Sequence, residues 1–317
     1  MKEIEIKNLN IRKKFVKILA YNIYLRTTNL KNNCINPTPI KISNNKIPEL
    51  SKLNDQLRLK IFVFEKKLRE ECKSFNTCNF SNNINNLIIK EENRFNSKNK
   101  HLITKGKYNI EKNEISILKS AYDTTIYHEL LHMSSSCVFE NKIYSGFKQF
   151  VPNKTNIGNG LNEGYTSLLC ERYFSNKKSG ISYIYEKRIA EIVEMIIGRE
   201  EMENLYFKGN LYTLVENLTK YDKRENVIKF LRNIDIVNKK YNGINNTNKN
   251  EKQLKDINKF LAKCIMKKSV TKGYDDISLI KSIFLINDKK NDMNKEVNNL
   301  LNTLLADELY NENRKNR

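Results

Sequence analysis

The sequence predicts an α+β protein, and three patterns predict it. Most of the chain repeats apolar residues at three- and four-residue steps, the spacing of an amphipathic helix. Between Lys107 and Leu118 the period drops to two, the spacing of strands. Directly after that change two histidines stand four residues apart, His128 and His132, and a second helical pattern follows a glycine-containing connector.

Taken in order, Glu3 to Arg26 carries apolar residues at loose helical spacing, and Thr27 to Pro48, with its prolines and asparagines, reads as a loop. Ser51 is a candidate N-cap, and Leu53, Leu57, Ile61, Phe64 and Leu68 predict a helix ending near Cys72. Lys73 to Lys100 is mostly Asn, Ser and charge, an irregular region in which only Leu87-Ile88-Ile89 suggests a short strand. Residues 1–100 thus form an N-terminal helical and irregular region. Lys107 to Ile110 and Ile115 to Leu118 flank the polar tetrad Glu111-Lys112-Asn113-Glu114 and predict a β-hairpin. Asp123 suits the start of a helix running to about Ser135. A connector with Gly146, Pro152, Gly158 and Gly160 leads to a second helix from Leu161 to Gly180, which closes a core over residues 101–180. Residues 181–317 are helical in pattern, with Tyr241 to Asn250 as the candidate linker.

Composition bounds the function. The chain has 317 residues, enough for a substantial core, and its 39% hydrophobic content excludes a wholly disordered protein. No apolar run is long enough for a transmembrane helix, and charges interrupt every short apolar run from Met1 to Ala20. The expectation is a cytoplasmic protein without membrane contact, with export by a signal-less route left open. The six cysteines are scattered without a C-x-x-C pair and are expected to be reduced. A formal net charge of +21 suggests a nucleic-acid binder. Yet 48 Asn, 45 Lys and 36 Ile are residues that AT-rich coding over-supplies, and Ser120 to Glu140 contains no Lys or Arg.

His128-Glu129-Leu130-Leu131-His132 is an HExxH motif on an expected helix. Four residues advance a helix by about 400°, so both imidazoles lie on one face, one turn apart, and can reach a single ion. Glu129 projects about 100° from His128, beside the ion rather than onto it, where it can take a proton from a water that a metal activates. A catalytic zinc site needs a third protein ligand. His101 lies upstream, and Ser135 and Val138 stand where HExxHxxGxxH would place its Gly and third His, so a carboxylate is expected. Glu163, in the first turn of the second helix, is the leading candidate, with Glu140 and Glu171 as alternatives.

HELLH followed by Leu161-Asn162-Glu163-Gly164-Tyr165 resembles the gluzincins, the zinc metallopeptidases that include thermolysin and the aminopeptidases related to leukotriene A4 hydrolase. The resemblance covers residues 122 to about 173. It implies a zincin-like core with a small sheet and two metal-bearing helices, Zn²⁺ as cofactor, His128, His132 and Glu163 as ligands, and Glu129 as general base. The chain departs from the family at three points. The interval from His132 to Glu163 is 31 residues, longer than in those two relatives, so an insertion occupies Cys137 to Gly160. Ser167 stands where thermolysin relatives hold a histidine with a carboxylate, leaving Glu171 as a substitute. The amine-binding strand of the aminopeptidases is missing, because Met202-Glu203-Asn204 lies downstream in a helical context, which favours an endopeptidase. The class also implies a tyrosine that stabilises the oxyanion, with Tyr165, Tyr173, Tyr183 and Tyr185 as candidates. The strand nearest the metal helix, Ile115 to Leu118, is the candidate to offer its edge to an extended protein or peptide substrate, with a strand paired on both sides as the alternative. The alternative from a different class is a basic nucleic-acid-binding protein with a structural or vestigial zinc site. A host-directed toxin protease is a third reading, by analogy of the long spacing alone.

Overall fold

The computed structural model describes residues 55–93, 105–118, 123–139, 142–150, 156–174, 183–241 and 251–272. The expected helix at 3–26, Ser51, His101, Cys34, Glu140, most of the linker and the chain beyond 272 lie outside these residues. Among the described residues the protein is α+β and mostly helical, with nine helices and two three-stranded sheets. None of these helices is long and apolar enough to cross a membrane.

Helix α1 (Asp55–Glu71) buries Leu57, Ile61, Phe64 and Leu68, one stripe at helical spacing. Phe64 is its anchor. Its ring centroid lies 5.0 Å from Phe174 and 6.3 Å from Tyr127, so α1 packs beneath the two helices that carry the expected ligands. Helix α2 (Thr77–Ile84) falls in the segment expected to be irregular. It is short, capped by Asn76, and polar by composition, and its helical stripe includes two buried asparagines, Asn79 and Asn83. A stripe search counts apolar residues and passes over such a helix.

Strand β1 (Ile88–Glu92) lies where Leu87-Ile88-Ile89 suggested a strand, and β2 (Gly106–Asn109) and β3 (Glu114–Leu118) form the expected hairpin. Their order corrects one expectation. β3 pairs in parallel with β1 and antiparallel with β2, so Ile115 to Leu118 is the central strand and offers no edge. The buried side chains of Ile115 and Ile117 on β3 agree with a central position. The sheet also joins residues on both sides of position 100.

Helix α3 (Asp123–Ser134) ends inside the protein, where its last carbonyls cannot reach water. Buried side chains satisfy them instead. Asn79 Nδ2 donates to the Ser134 carbonyl at 2.7 Å and Asn83 Nδ2 to the Met133 carbonyl at 2.8 Å. The hydroxyls of Ser135, Ser136 and Ser145 stand 2.7 to 3.1 Å from the His132 carbonyl oxygen.

The connector expected after α3 is largely a second sheet, an antiparallel meander of β4 (Ser136–Phe139), β5 (Lys142–Ser145) and β6 (Lys148–Phe150). Strands of three and four residues are too short to show a period, which is why the sequence reads as loop. The β5–β6 turn presses on the next helix. Gly146 has φ +53, and a β-carbon there would stand 2.3 Å from Asn162 Oδ1 and 2.4 Å from the Tyr206 ring.

Helix α4 (Asn159–Phe174) begins two residues before the expected start. Its N-terminus is capped from a distance: Gly158 N–H and Gly160 N–H donate to the two Asp235 carboxylate oxygens at 2.9 and 2.7 Å. Helices α5 (Ile184–Ile197), α6 (Arg199–Phe207), α7 (Leu211–Thr219), α8 (Arg224–Tyr241, which carries Asp235) and α9 (Glu251–Lys272) follow, and one continuous core runs from Leu57 to Met266. Arg172 of α4 pairs with Glu194 of α5 and Glu203 of α6, tying three helices together. The described cysteines, Cys72, Cys78, Cys137, Cys170 and Cys264, are free thiols.

Gly164 explains the close approach of α4 and α5. A β-carbon there would stand 2.1 Å from the Glu186 carbonyl oxygen, which is backbone and cannot swing aside. Alanine at a helical glycine normally gains about 1 kcal/mol, whereas overpacking costs about 1–3 kcal/mol. With this contact the clash wins: Gly164→Ala is expected to lower the urea midpoint, and an unchanged or higher midpoint would contradict the packing described.

Candidate metal centre

Helix α3 buries Ile126, Leu130, Leu131 and Met133 and turns its remaining face toward α4. That face carries His128 and His132, and the first turns of α4 bring Glu163 against them. His128 Nε2 lies 3.1 Å from His132 Nε2 and 3.2 Å from Glu163 Oε2, and His132 Nε2 lies 3.3 Å from the same oxygen. Among the described residues this is the group of His, Cys, Asp and Glu side chains that could hold a metal ion.

The triangle has the right size for one. An ion with ligands at about 2.0–2.1 Å in tetrahedral array has ligand–ligand edges of about 3.3–3.4 Å, and two imidazole nitrogens with a carboxylate oxygen suit a first-row divalent ion. The electrostatics agree. Burial acts to raise the Glu163 carboxyl, but His132 and His128, through charge and hydrogen bonds, bring it well below the usual range. Burial acts against a charged His128, yet Glu163 and Glu129 raise it on balance.

Glu129 is buried and stands outside the triangle. Burial raises its carboxyl, against the pull of His128 and His132. It lies against strand β2: the Tyr108 backbone amide acts to lower its carboxyl, and a β-carbon on Gly106 would stand 3.1 Å from its Oε1. Gly106 therefore makes the room that Glu129 occupies.

The four tyrosines expected near the site separate clearly. Tyr165 donates to Glu194 at 2.8 Å and Tyr173 to Glu203 at 2.7 Å, both within the Arg172 network. Tyr185 packs against the core. Tyr183 faces the triangle, its ring parallel to His128 at 6.0 Å between centroids, and the charge of Glu163 holds its hydroxyl well above the ordinary range. It holds φ +58 at the start of α5, a left-handed conformation costly for an aromatic residue. Glu171, considered as a third ligand or as a histidine partner, is exposed and paired with Lys187.

No family model, curated protein or solved structure matches this chain.

The site's chemistry therefore follows from its own atoms. Several of its members carried no sequence signal: Gly106 and Tyr108 lie on a strand read only as half of a hairpin, and Tyr206 is remote in the chain. Asn162 and Thr166 flank Glu163 on α4, and both stand within 3.4 Å of His132 Nδ1. Helical spacing from Glu163 could have marked them as neighbours of the ligands.

A divalent ion is expected to raise the melting temperature, by about 2.7 kcal/mol of stabilisation when the free ion is a hundredfold above its Kd. Glu163→Gln and His132→Ala should each remove most of that gain. Uptake should weaken as pH falls, because His128 holds its proton to higher pH than a free imidazole and must release it to bind. Melting curves with Zn²⁺ or Co²⁺ between pH 5 and 8 check both, and a midpoint indifferent to either ion would remove the metal reading.

Proposed function

We propose that the chain is a zinc-dependent metallopeptidase with a zincin-like core of the gluzincin type, and that it cleaves internal peptide bonds. The observation that carries this reading is the combination of the His128, His132 and Glu163 triangle with Glu129 set beside it and not in it. A structural zinc site closes its coordination with four protein ligands, whereas three ligands with an adjacent carboxylate suit hydrolysis. That contrast also weighs against the nucleic-acid alternative, which has only the net charge in its favour.

His128, His132 and Glu163 would hold the ion. When bound, zinc supplies Lewis acidity, polarising the scissile carbonyl and making a water acidic enough to deprotonate near neutral pH. Glu129 accepts that proton on its carboxylate as the water attacks, and passes it to the leaving amine. Burial makes this carboxylate a stronger base than an exposed glutamate. Tyr183, its ring parallel to that of His128, would donate to the carbonyl oxygen as negative charge develops there.

Strand β2 replaces β3 as the substrate-binding edge in this reading. Leu118 N–H donates to the Lys105 carbonyl at 2.9 Å, so alternate residues 105, 107 and 109 bond to β3. Gly106 and Tyr108 then direct their backbone groups to the other side, where among the described residues β2 has no second strand. The lowering effect of the Tyr108 amide on the Glu129 carboxyl fits that direction. An extended peptide along this edge would run past Glu129. Met202-Glu203-Asn204 lies in α6 with Glu203 bonded to Arg172, which supports a site without an amine-binding strand. Free thiols fit the cytoplasmic setting expected from the sequence.

Glu129→Gln is expected to keep its zinc and to lose about 10²–10⁴-fold in peptide hydrolysis. Tyr183→Phe should lower kcat by about 10²–10³-fold and leave KM nearly unchanged. Proteome-wide identification of cleaved peptides, with Glu129→Gln as the control, supplies the substrate. A Glu129→Gln protein as active as the original, or a purified chain without zinc, would falsify the assignment.

A further inference from the structure

A histidine that binds an ion through Nε2 must carry its proton on Nδ1, and that proton needs an acceptor. At His132 two groups compete for Nδ1. Asn162 Nδ2 lies at 3.2 Å and Thr166 Oγ1 at 3.4 Å. The orientation of the Asn162 amide is determined by the Phe147 N–H, which donates to Asn162 Oδ1 at 3.0 Å and leaves the NH₂ facing the ring. Asn162 can therefore only donate, and it favours the opposite tautomer, in which the Nε2 proton faces the Glu163 carboxylate at 3.3 Å.

Thr166 has one proton to give. It goes to the Asn162 carbonyl oxygen at 2.7 Å. The Tyr206 hydroxyl, 2.8 Å from Thr166 Oγ1, must then be the donor of that pair. Toward His132 the threonine presents only a lone pair. Asn162, Thr166 and Tyr206 are all buried, so no solvent takes either role.

We propose that Thr166, locked as an acceptor by Tyr206, is the positioning group that stabilises the ion-binding tautomer of His132, while Asn162 stabilises the ion-free tautomer. The inference rests on the metal reading of the site. The Thr166 hydroxyl stands in for the carboxylate that Ser167 and the exposed Glu171 do not supply. A neutral acceptor has an electrostatic advantage here, because a further carboxylate would add negative charge to a buried cluster already holding Glu129 and Glu163.

The test uses the full chain labelled with ¹⁵N, in which three histidines make ring assignment simple. In the metal-free protein His132 should show an Nδ1–H population that Thr166→Val abolishes and Thr166→Ser retains. In competition with a chromogenic chelator, Thr166→Val should bind Zn²⁺ about 10- to 100-fold more weakly, and Thr166→Ser close to the original. Tyr206→Phe frees the threonine hydroxyl to turn, so it should shift the tautomer balance the same way; this variant carries the test if Thr166→Val does not fold. Unchanged His132 ring shifts together with unchanged zinc affinity in Thr166→Val would overturn the proposal. If the original chain binds no zinc, the metal reading fails, and the ring shifts of the metal-free protein still decide the role of Thr166.

Discussion

The crossing of α3 and α4 holds two imidazole nitrogens and one carboxylate oxygen within 3.1 to 3.3 Å of one another, and much of the surrounding structure serves to keep them there. Such a cluster is costly to bury: each group loses water, and the charges balance only at short range. The helices that carry it must be held rigidly. Gly164 lets α5 approach α4 until backbone meets backbone, and Asp235 of α8 draws in the N-terminus of α4 by its first amides. Phe64, Tyr127 and Phe174 fill the space where α1 packs under both.

The same constraint explains the polar residues buried around α3. A helix that ends inside a core leaves carbonyls without water, and Asn79, Asn83 and the serines of the Ser134–Ser136 run answer them. The segment between α3 and α4 has a matching role. Its meander turns at Gly146 and Phe147 against Asn162, next to Glu163, so this segment is part of the support for the site. The helical region beyond residue 181 also takes part directly, through Tyr183 at the triangle and Tyr206 behind Thr166.

Much of the scaffold was legible from local pattern. The stripe of α1, the hairpin of β2 and β3, helix α3 and the helical run after residue 182 all have enough residues for a period to show. Helix α2 did not, because half of its buried face is polar: Asn79 and Asn83 stand beside Phe80 and Ile84 and donate to the end of α3. Strands β4 to β6 did not, because three or four residues contain no more than two alternations.

By itself the sequence determined the chemistry available: histidines four apart on one helical face, a glutamate between them set off that face, and a shortage of other histidines that pointed to a carboxylate. These are consequences of helix geometry and composition, and they act over one or two turns. Only the tertiary structure decided that Glu163 and not Glu171 meets the histidines, that among the described residues β2 and not β3 is an edge strand, and which tyrosine faces the triangle. Each of those choices depends on contacts between segments far apart in the chain. A period along one segment carries no information about the partner that will cover it.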